Sequence, residues 1–209
     1  MRTLPMFPLG TVLFPHMVLP LHVFEPRYRA LMHDILDGDR EFGVTLITRG
    51  HEVGGGDLRA DVGSVARVVQ AEELEDGRWL ALSVGVERLR VERWLSDDPY
   101  PIAEVDTMPS GQIDERSRPT FEALVPRLRR VLAMSSELGD DGVESTFEIA
   151  EDPEVACWQL AVIAPLNPFD AQRVLVTDDC LDRLALLDDL VRDLESTLDL
   201  RLREGDARS

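Results

Sequence analysis

Short apolar runs separated by turn signals fill the first hundred residues. Their β-branched content, and the alternation of apolar and polar positions in several of them, predict β-strands. The glycine-rich stretch at 54–56 predicts a loop, and the Asp-Gly pair at 76–77 predicts a hairpin turn, with a further break at Gly85. The predicted strands are 4–9, 18–24, 41–48, 62–74, 79–84, 88–94 and 100–105. Short strands at this spacing predict a small barrel or a folded-over sheet.

One helix interrupts this series. Pro26 suits the first helical position, where no backbone N–H is needed, with Glu25 at the cap and Gly38 closing the helix. Apolar residues then recur at the spacing of one helical face. They are Tyr28, Leu31, Met32, Ile35 and Leu36.

Helical periodicity dominates after a loose stretch at 108–118. The predicted boundary gives a β subdomain at 1–110 and a helical-bundle subdomain at 111–209, an α+β chain. Four helices are predicted, with Asp152, Asn167 and Thr177 as caps and a loop at 139–142. Pro126 is expected to kink or split the first of them.

Composition excludes several activities. The 209 residues carry 22 basic side chains, all Arg, against 40 acidic ones, a net charge of −18. A chain without lysine has no Walker A loop, no Schiff-base lysine and no Ser–Lys dyad. Nucleic acid is a disfavoured partner, because phosphate binding depends on clustered cations.

Candidate chemistry is sparse. The four histidines stand at no metal-ligand spacing, and no nucleophile elbow occurs. Cys157 and Cys180 form no Cys-x-x-Cys pair and are expected to be free, buried thiols. The sequence therefore predicts no catalytic residues, no metal, no cofactor and no enzymatic activity. The chain has no apolar run of about 20 residues and no signal segment. We therefore expect a cytoplasmic location without membrane association.

The amino-terminal segment is unusually rich in proline, at positions 5, 8, 15 and 20. Proline removes a backbone donor, which suits edge strands and turns. An edge strand with spare hydrogen-bonding groups can take up an extended peptide by strand addition.

The same segment carries a family resemblance. Pro-x-Phe-Pro-Leu at 5–9, Leu-Phe-Pro at 13–15 and Leu-Pro-Leu-His-x-Phe-Glu-Pro-Arg-Tyr at 19–28 resemble the amino-terminal substrate-binding domain of Lon-type ATP-dependent proteases. The similarity continues through 42–44, 62–68, 76–78 and 85–88 into the helical half. The resemblance implies a PUA-like β fold followed by a helical bundle, and recognition of protein or peptide.

Three functions stay open at this point. The first is a protein-binding module, such as a quality-control adaptor, that takes unfolded or extended polypeptide. The alternatives are a small-molecule sensor and a PUA-type RNA-binding protein. The candidate peptide-binding residues are Phe14, Pro15, Leu19, Arg27, Tyr28 and Arg67. The two arginines are candidates to grip a carboxylate. The sequence leaves the oligomeric state and the physiological partner undetermined.

Overall fold

The computed structural model describes residues 1–50, 56–139 and 146–206. The chain divides into two compact units, Met1–Ser110 and Gly111–Ser209. Of the loops predicted at 54–56 and 139–142, only Gly56 and Gly139 lie within the described residues.

The described part of the first unit contains six strands and one helix. They are β1 (Arg2–Leu9), β2 (Val18–Val23), α1 (Pro26–Leu36), β3 (Glu41–Arg49), β4 (Leu58–Glu73), β5 (Trp79–Trp94) and β6 (Ile102–Met108). The strands form one mixed sheet in the order β2-β5-β4-β3-β1-β6. β1 and β3 are parallel, and the other pairs are antiparallel.

The sheet folds over on itself, because β6 pairs with both β1 and β5. β2 lies outside this arrangement and pairs with β5 alone, so the six strands together do not form a closed barrel. Together with the helices that follow, this confirms the predicted α+β class and the folded-over form of the sheet.

Helix α1 packs into the core of the first unit. Its buried residues are Tyr28, Leu31, Met32 and Ile35, and the Tyr28 ring stacks on Phe7 of β1 with the ring centroids 4.0 Å apart. The predicted start at Pro26 is confirmed. The helix ends at Leu36, two residues before Gly38.

Two strand predictions need correction. Gly85 does not divide two strands: β5 is continuous over sixteen residues. A Cβ atom at Gly85 would clash with the carbonyl oxygen of Phe14, so the glycine permits a close backbone approach. β1 is an internal strand despite its two prolines. Pro5 lies in the half that pairs with β6, and Pro8 lies in the half that pairs with β3.

The described part of the second unit contains four helices, α2 (Arg118–Glu137), α3 (Pro153–Ile163), α4 (Pro168–Val176) and α5 (Cys180–Asp206). Asp152 caps α3 by accepting from the backbone N–H groups of Glu154 and Val155, and Asn167 caps α4 in the same way. Both caps were predicted. Among the described residues, no helix has the length and apolar character needed to cross a membrane.

Two helix predictions need correction, the cap at Thr177 and a split at Pro126. Thr177 does not cap α5, since its hydroxyl donates to the Arg173 carbonyl at the end of α4. Asp179 takes that role, accepting from the backbone N–H of Leu181 at 2.8 Å. Pro126 does not split α2, which stays one helix with Pro126 on its exposed side. The core side of α2 is carried by other residues, including Leu124 and Leu128.

Candidate functional site

Strand β2 forms one edge of the sheet. It pairs with the first part of β5, from Val18 opposite Val84 to Val23 opposite Trp79, and with no other strand in the described part of the chain. Pro20 lies in its middle. Proline is tolerated in an edge strand where its missing N–H would point away from the partner strand. Backbone groups of every second residue point to the same side, so the His22 N–H also points away from β5.

The register assigns the β2 side chains to two faces. Leu19 and Val23 face the core and are buried. Pro20 and His22 face outward and lie opposite Leu82 and Leu80 of β5. These two leucines are flanked on the far side by Gln70 and Glu72 of β4. On the outer face, the apolar leucines of β5 thus lie between Pro20 and His22 of β2 and the polar residues of β4.

Large apolar side chains are exposed on this part of the sheet. The exposed fractions are 53% for Val18, 52% for Phe24, 51% for Val69, 45% for Leu80 and 38% for Leu82. Solvent-facing positions of an antiparallel sheet are usually polar. Clustered exposed apolar residues mark interaction sites more often than isolated ones do. We call Val18, Pro20, His22, Phe24, Val69, Leu80 and Leu82 the edge surface.

Two concave regions meet at this strand. One, of about 460 Å³, lies on the outer face and is lined by residues including Leu80, Leu82 and Glu72. The other, of about 260 Å³, extends from β2 toward Phe7 and Tyr28. Both share Pro20, Leu21 and His22. An extended segment lying along β2 would therefore find apolar depressions on both sides of the strand.

The polar groups at the edge surface include two acids and an arginine. Glu72 lies within the larger depression. Glu25 lines the smaller one and accepts a hydrogen bond from Arg27 at 3.2 Å. His22 lies 3.4 Å from Arg78, measured between Nε2 and Nη1. Apolar walls bordered by carboxylates suit a ligand that combines apolar and basic groups.

The structure places four of the predicted site residues in the core of the first unit. Phe14 and Pro15 are buried, and so are Leu19 and Tyr28. Leu19 and Tyr28 nevertheless line the smaller depression. Burial raises the pKa of Tyr28 to about 12, so its hydroxyl stays protonated at neutral pH. Peptide contact by these four residues stays a prediction.

The two predicted arginine anchors already have acidic partners. Arg27 pairs with Glu25 at 3.2 Å and its guanidinium lies 4.4 Å from the centroid of the Tyr28 ring. Arg67 donates two hydrogen bonds to Glu41, at 2.7 and 3.1 Å. A ligand carboxylate would have to displace an existing ion pair at either position, so carboxylate binding by these arginines also stays a prediction.

Sequence reasoning missed the exposed apolar residues of β5 and β4. A signal was present: Trp79-Leu80-Ala81-Leu82 is apolar at every position, although only alternate side chains of the strand face the core. Such a run predicts apolar side chains on both faces of the sheet. Which of them remain uncovered depends on the neighbouring strands.

No metal-binding group was found in the part of the chain that the structure describes: no three or more His, Cys, Asp or Glu residues are placed to hold an ion. The edge surface offers apolar area and a strand edge without a partner strand in the described residues, and carboxylates border it. Such features suit a ligand that is held by apolar burial and hydrogen bonding.

The fold resembles that of solved amino-terminal domains of Lon proteins. A crystal structure of a Lon N-terminal domain protein from Xanthomonas campestris matches with a TM-score of 0.64 and 26% identity, over 90% of this chain and 97% of that one. The N-terminal domain of the Mycobacterium avium complex Lon protease has a TM-score of 0.62 at 18% identity, over 92% and 99% of the two chains, which shows the shared fold.

The chain belongs to the ATP-dependent protease La (LON) substrate-binding domain family, whose model matches residues 3–193. The Lon protease of Brevibacillus choshinensis is 26% identical over 98% of this chain and 26% of that protein. The Escherichia coli K12 Lon protease is 27% identical over 94% of this chain and 25% of that protein. The chain spans about a quarter of the length of these relatives. The family resemblance seen in the sequence is confirmed.

Proposed function

We propose that this chain is a non-catalytic recognition domain that binds extended, apolar segments of unfolded polypeptide along the edge surface. The observation that carries the proposal is the coincidence of a free strand edge with five exposed apolar side chains. Strand addition would supply backbone hydrogen bonds, and the two depressions would receive alternate side chains of the ligand. Membership of a substrate-binding domain family supports this role.

Charge narrows the class of ligand. The chain carries a net charge of −18, and Glu72 lies beside Leu80 on the outer face. A segment in which apolar side chains alternate with basic ones would bury the former and bring the latter close to carboxylates. The same acidity opposes binding of RNA, whose phosphates would be repelled.

The cellular setting follows from the ligand. A domain that captures unfolded chain segments in the cytoplasm would serve protein quality control, for example as an adaptor that presents substrate to a separate protease. Capture of unfolded protein is the part of this proposal that purified components can test directly.

The direct test changes Leu80 and Leu82 together to Asp. The ligand is a fluorescently labelled, reduced and alkylated protein that cannot fold, and fluorescence anisotropy reports its binding. Each leucine, if fully buried by the ligand, contributes about 1.5–3 kcal/mol. Loss of both should weaken binding by at least roughly 100-fold, since 1.4 kcal/mol corresponds to a factor of ten.

Leu58→Asp is the matched control. Leu58 is also a leucine on a strand, is 58% exposed and lies at the opposite end of β4 from the edge surface. This variant should bind as the unchanged protein does. Equal affinities for the double variant and the control would refute the edge surface as the binding site.

A second experiment separates strand addition from simple contact with the outer face. Two peptides of about eight residues alternate valine and arginine and carry N-methyl groups on alternate amides, in one register or the other. Only one register of amides can face β2, so one peptide should bind at least about tenfold more weakly than its partner. Equal weakening in both registers would contradict strand addition.

A further inference from the structure

The core of the second unit holds a pair of cysteines beside a buried arginine. Cys157 lies in α3 and Cys180 is the first residue of α5, and both are buried. Their Sγ atoms are 2.6 Å apart, closer than two unbonded sulfur atoms ordinarily lie, and both cysteines are free. A disulfide bond needs about 2.05 Å, so a small movement would join them.

Arg183 completes the cluster. Its guanidinium is fully buried and lies 3.6 Å from the centroid of the Trp158 ring. Its hydrogen bonds reach the backbone carbonyls of Thr177 and Asp178 and, at 3.3 Å, the Sγ atom of Cys157. In the described residues these acceptors include no carboxylate. A buried cation without an anion is costly, and a Cys157 thiolate would neutralise it.

The cluster favours one thiolate at a time. A hydrogen bond from the Cys180 thiol lowers the pKa of Cys157, and the Arg183 charge adds to this effect against the opposing effect of burial. The pKa of Cys180 is raised, because its proton is held in that same hydrogen bond and its site is buried. Cys180 also lies at the amino terminus of a helix, which favours negative charge nearby.

From this geometry we infer that Cys157 and Cys180 form a reversible disulfide when the protein meets a peroxide. The Cys157 thiolate attacks one oxygen of hydrogen peroxide: an S–O bond forms, the O–O bond breaks, and the departing hydroxide takes up a proton to become water. Cys157 is then a sulfenic acid. Cys180 attacks its sulfur, the S–S bond forms, the S–O bond breaks, and the second water leaves with the Cys180 proton. The two thiols lose two electrons, and the peroxide gains them.

The same arrangement makes the bond readily reversible. Because Arg183 stabilises the reduced, thiolate form, the disulfide is easier to reduce than one without such a neighbour. The bond also closes a loop, since Cys157 and Cys180 are 23 positions apart. Oxidation should therefore raise the unfolding temperature of the second unit by roughly 10 °C. This inference does not depend on the proposed function.

The test oxidises the purified chain with hydrogen peroxide, alkylates the remaining thiols under denaturing conditions and maps the tryptic peptides by mass spectrometry. Trypsin cuts after arginine, so Cys157 lies in the peptide 131–173 and Cys180 in the peptide 174–183. The expected product is these two peptides joined, and dithiothreitol without denaturant should separate them. Two alkylated cysteines, oxygen addition as the end product, or a link between two chains would each overturn the inference.

Variants distinguish the two sulfurs. Cys180→Ser should accumulate a sulfenic acid at Cys157, trapped by dimedone, whereas Cys157→Ser should react with peroxide at least about tenfold more slowly than the unchanged protein.

The role of the positive charge is tested at Arg183. Arg183→Lys keeps the charge and should react at a rate within about threefold of that of the unchanged protein, and Arg183→Gln should react at least about tenfold more slowly. Equal rates for the lysine and glutamine variants would contradict the role of the charge. The peptide map of the unchanged protein decides whether the bond forms even if a variant fails to fold.

Discussion

Two parts of the same sheet treat their outward-facing side chains differently. Near β1 and β3, Glu41 accepts hydrogen bonds from Arg2 at 2.8 Å and from Arg67 at 2.7 Å, and Arg2 also pairs with Glu87 at 2.9 Å. We call these four residues the charged cluster. At the other end, the edge surface exposes apolar side chains. The charged side chains form ion pairs with one another within the sheet. The exposed apolar side chains would be stabilised only if another molecule covered them and removed them from water.

The register shows how closely the two regions adjoin. Arg67 lies opposite Glu41 on one side and opposite Val84 on the other, and Val84 in turn lies opposite Val18 of the edge surface. The surface therefore changes from ion pairs to exposed apolar groups across neighbouring strands of one sheet. The overall composition of the chain does not predict where that change occurs. This contrast supports binding at the edge surface and a structural role for the charged cluster.

The largest expected effect separates the core side of β2 from the outer side of β5. Leu19 is 6% exposed, so Leu19→Asp would bury a carboxylate and should lower the free energy of unfolding by about 4 kcal/mol or more. Leu82→Asp places the same group on the outer face, where the side chain is 38% exposed, and should cost clearly less, about 1–2 kcal/mol. Urea unfolding measures both. Similar losses in the two variants would contradict the assignment of faces.

A smaller effect is expected in the charged cluster. Burial alone would raise the pKa of Glu41, but the hydrogen bonds and charges of Arg67 and Arg2 outweigh it, so the pKa lies below its ordinary value. The stabilisation is therefore present above the ordinary carboxyl pKa of about 4.3 and is lost as the pH falls through the lowered pKa. Glu41→Gln should cost about 1 kcal/mol at pH 7.

Denaturant unfolding of the Glu41→Gln variant and the unchanged protein at neutral pH and near pH 3 checks this sign. The difference between them should shrink in acid. Peptide affinity should stay within about threefold. A difference that grows in acid, or a large loss of affinity, would mean that the two regions are not separate in function.

The smallest effect concerns ligand charge. A peptide alternating valine and arginine should bind about fivefold more tightly than one alternating valine and glutamate at low salt, and the preference should shrink as salt screens the charges. Anisotropy titrations over a range of salt concentrations measure it. Equal binding of both peptides at low salt would show that ligand charge does not contribute to affinity and that apolar burial accounts for binding.

Local signals in the sequence located most elements. The stripe from Tyr28 to Leu36 predicted α1, and Asp152 and Asn167 predicted helix starts through the backbone donors that their side chains cap. The prediction of a strand break at Gly85 was wrong. A glycine is needed there because the Phe14 carbonyl, from a distant part of the sequence, approaches the backbone closely. Thr177 misled because Asp179, two residues later, makes the capping bonds.

The candidate site was harder to predict. The prolines of the amino-terminal segment favoured edge strands, which holds for β2 and not for β1. Val18–Val23 is apolar at five of its six positions, so its sequence does not say which residues are covered. That depends on the pairing with β5 and on α1. Phe14 and Leu19 were therefore selected from the buried side, while Leu80 and Leu82, some sixty residues later, were missed.

The most direct test of binding at the edge surface is amide chemical-shift mapping of the ¹⁵N-labelled chain titrated with an unlabelled peptide that alternates valine and arginine. The predicted result is that the largest changes fall in β2 and in the β5 residues 79–84 that pair with it, with His22 and Leu80 among them. Changes concentrated in the charged cluster or in residues 111–209, with β2 unaffected, would contradict the account.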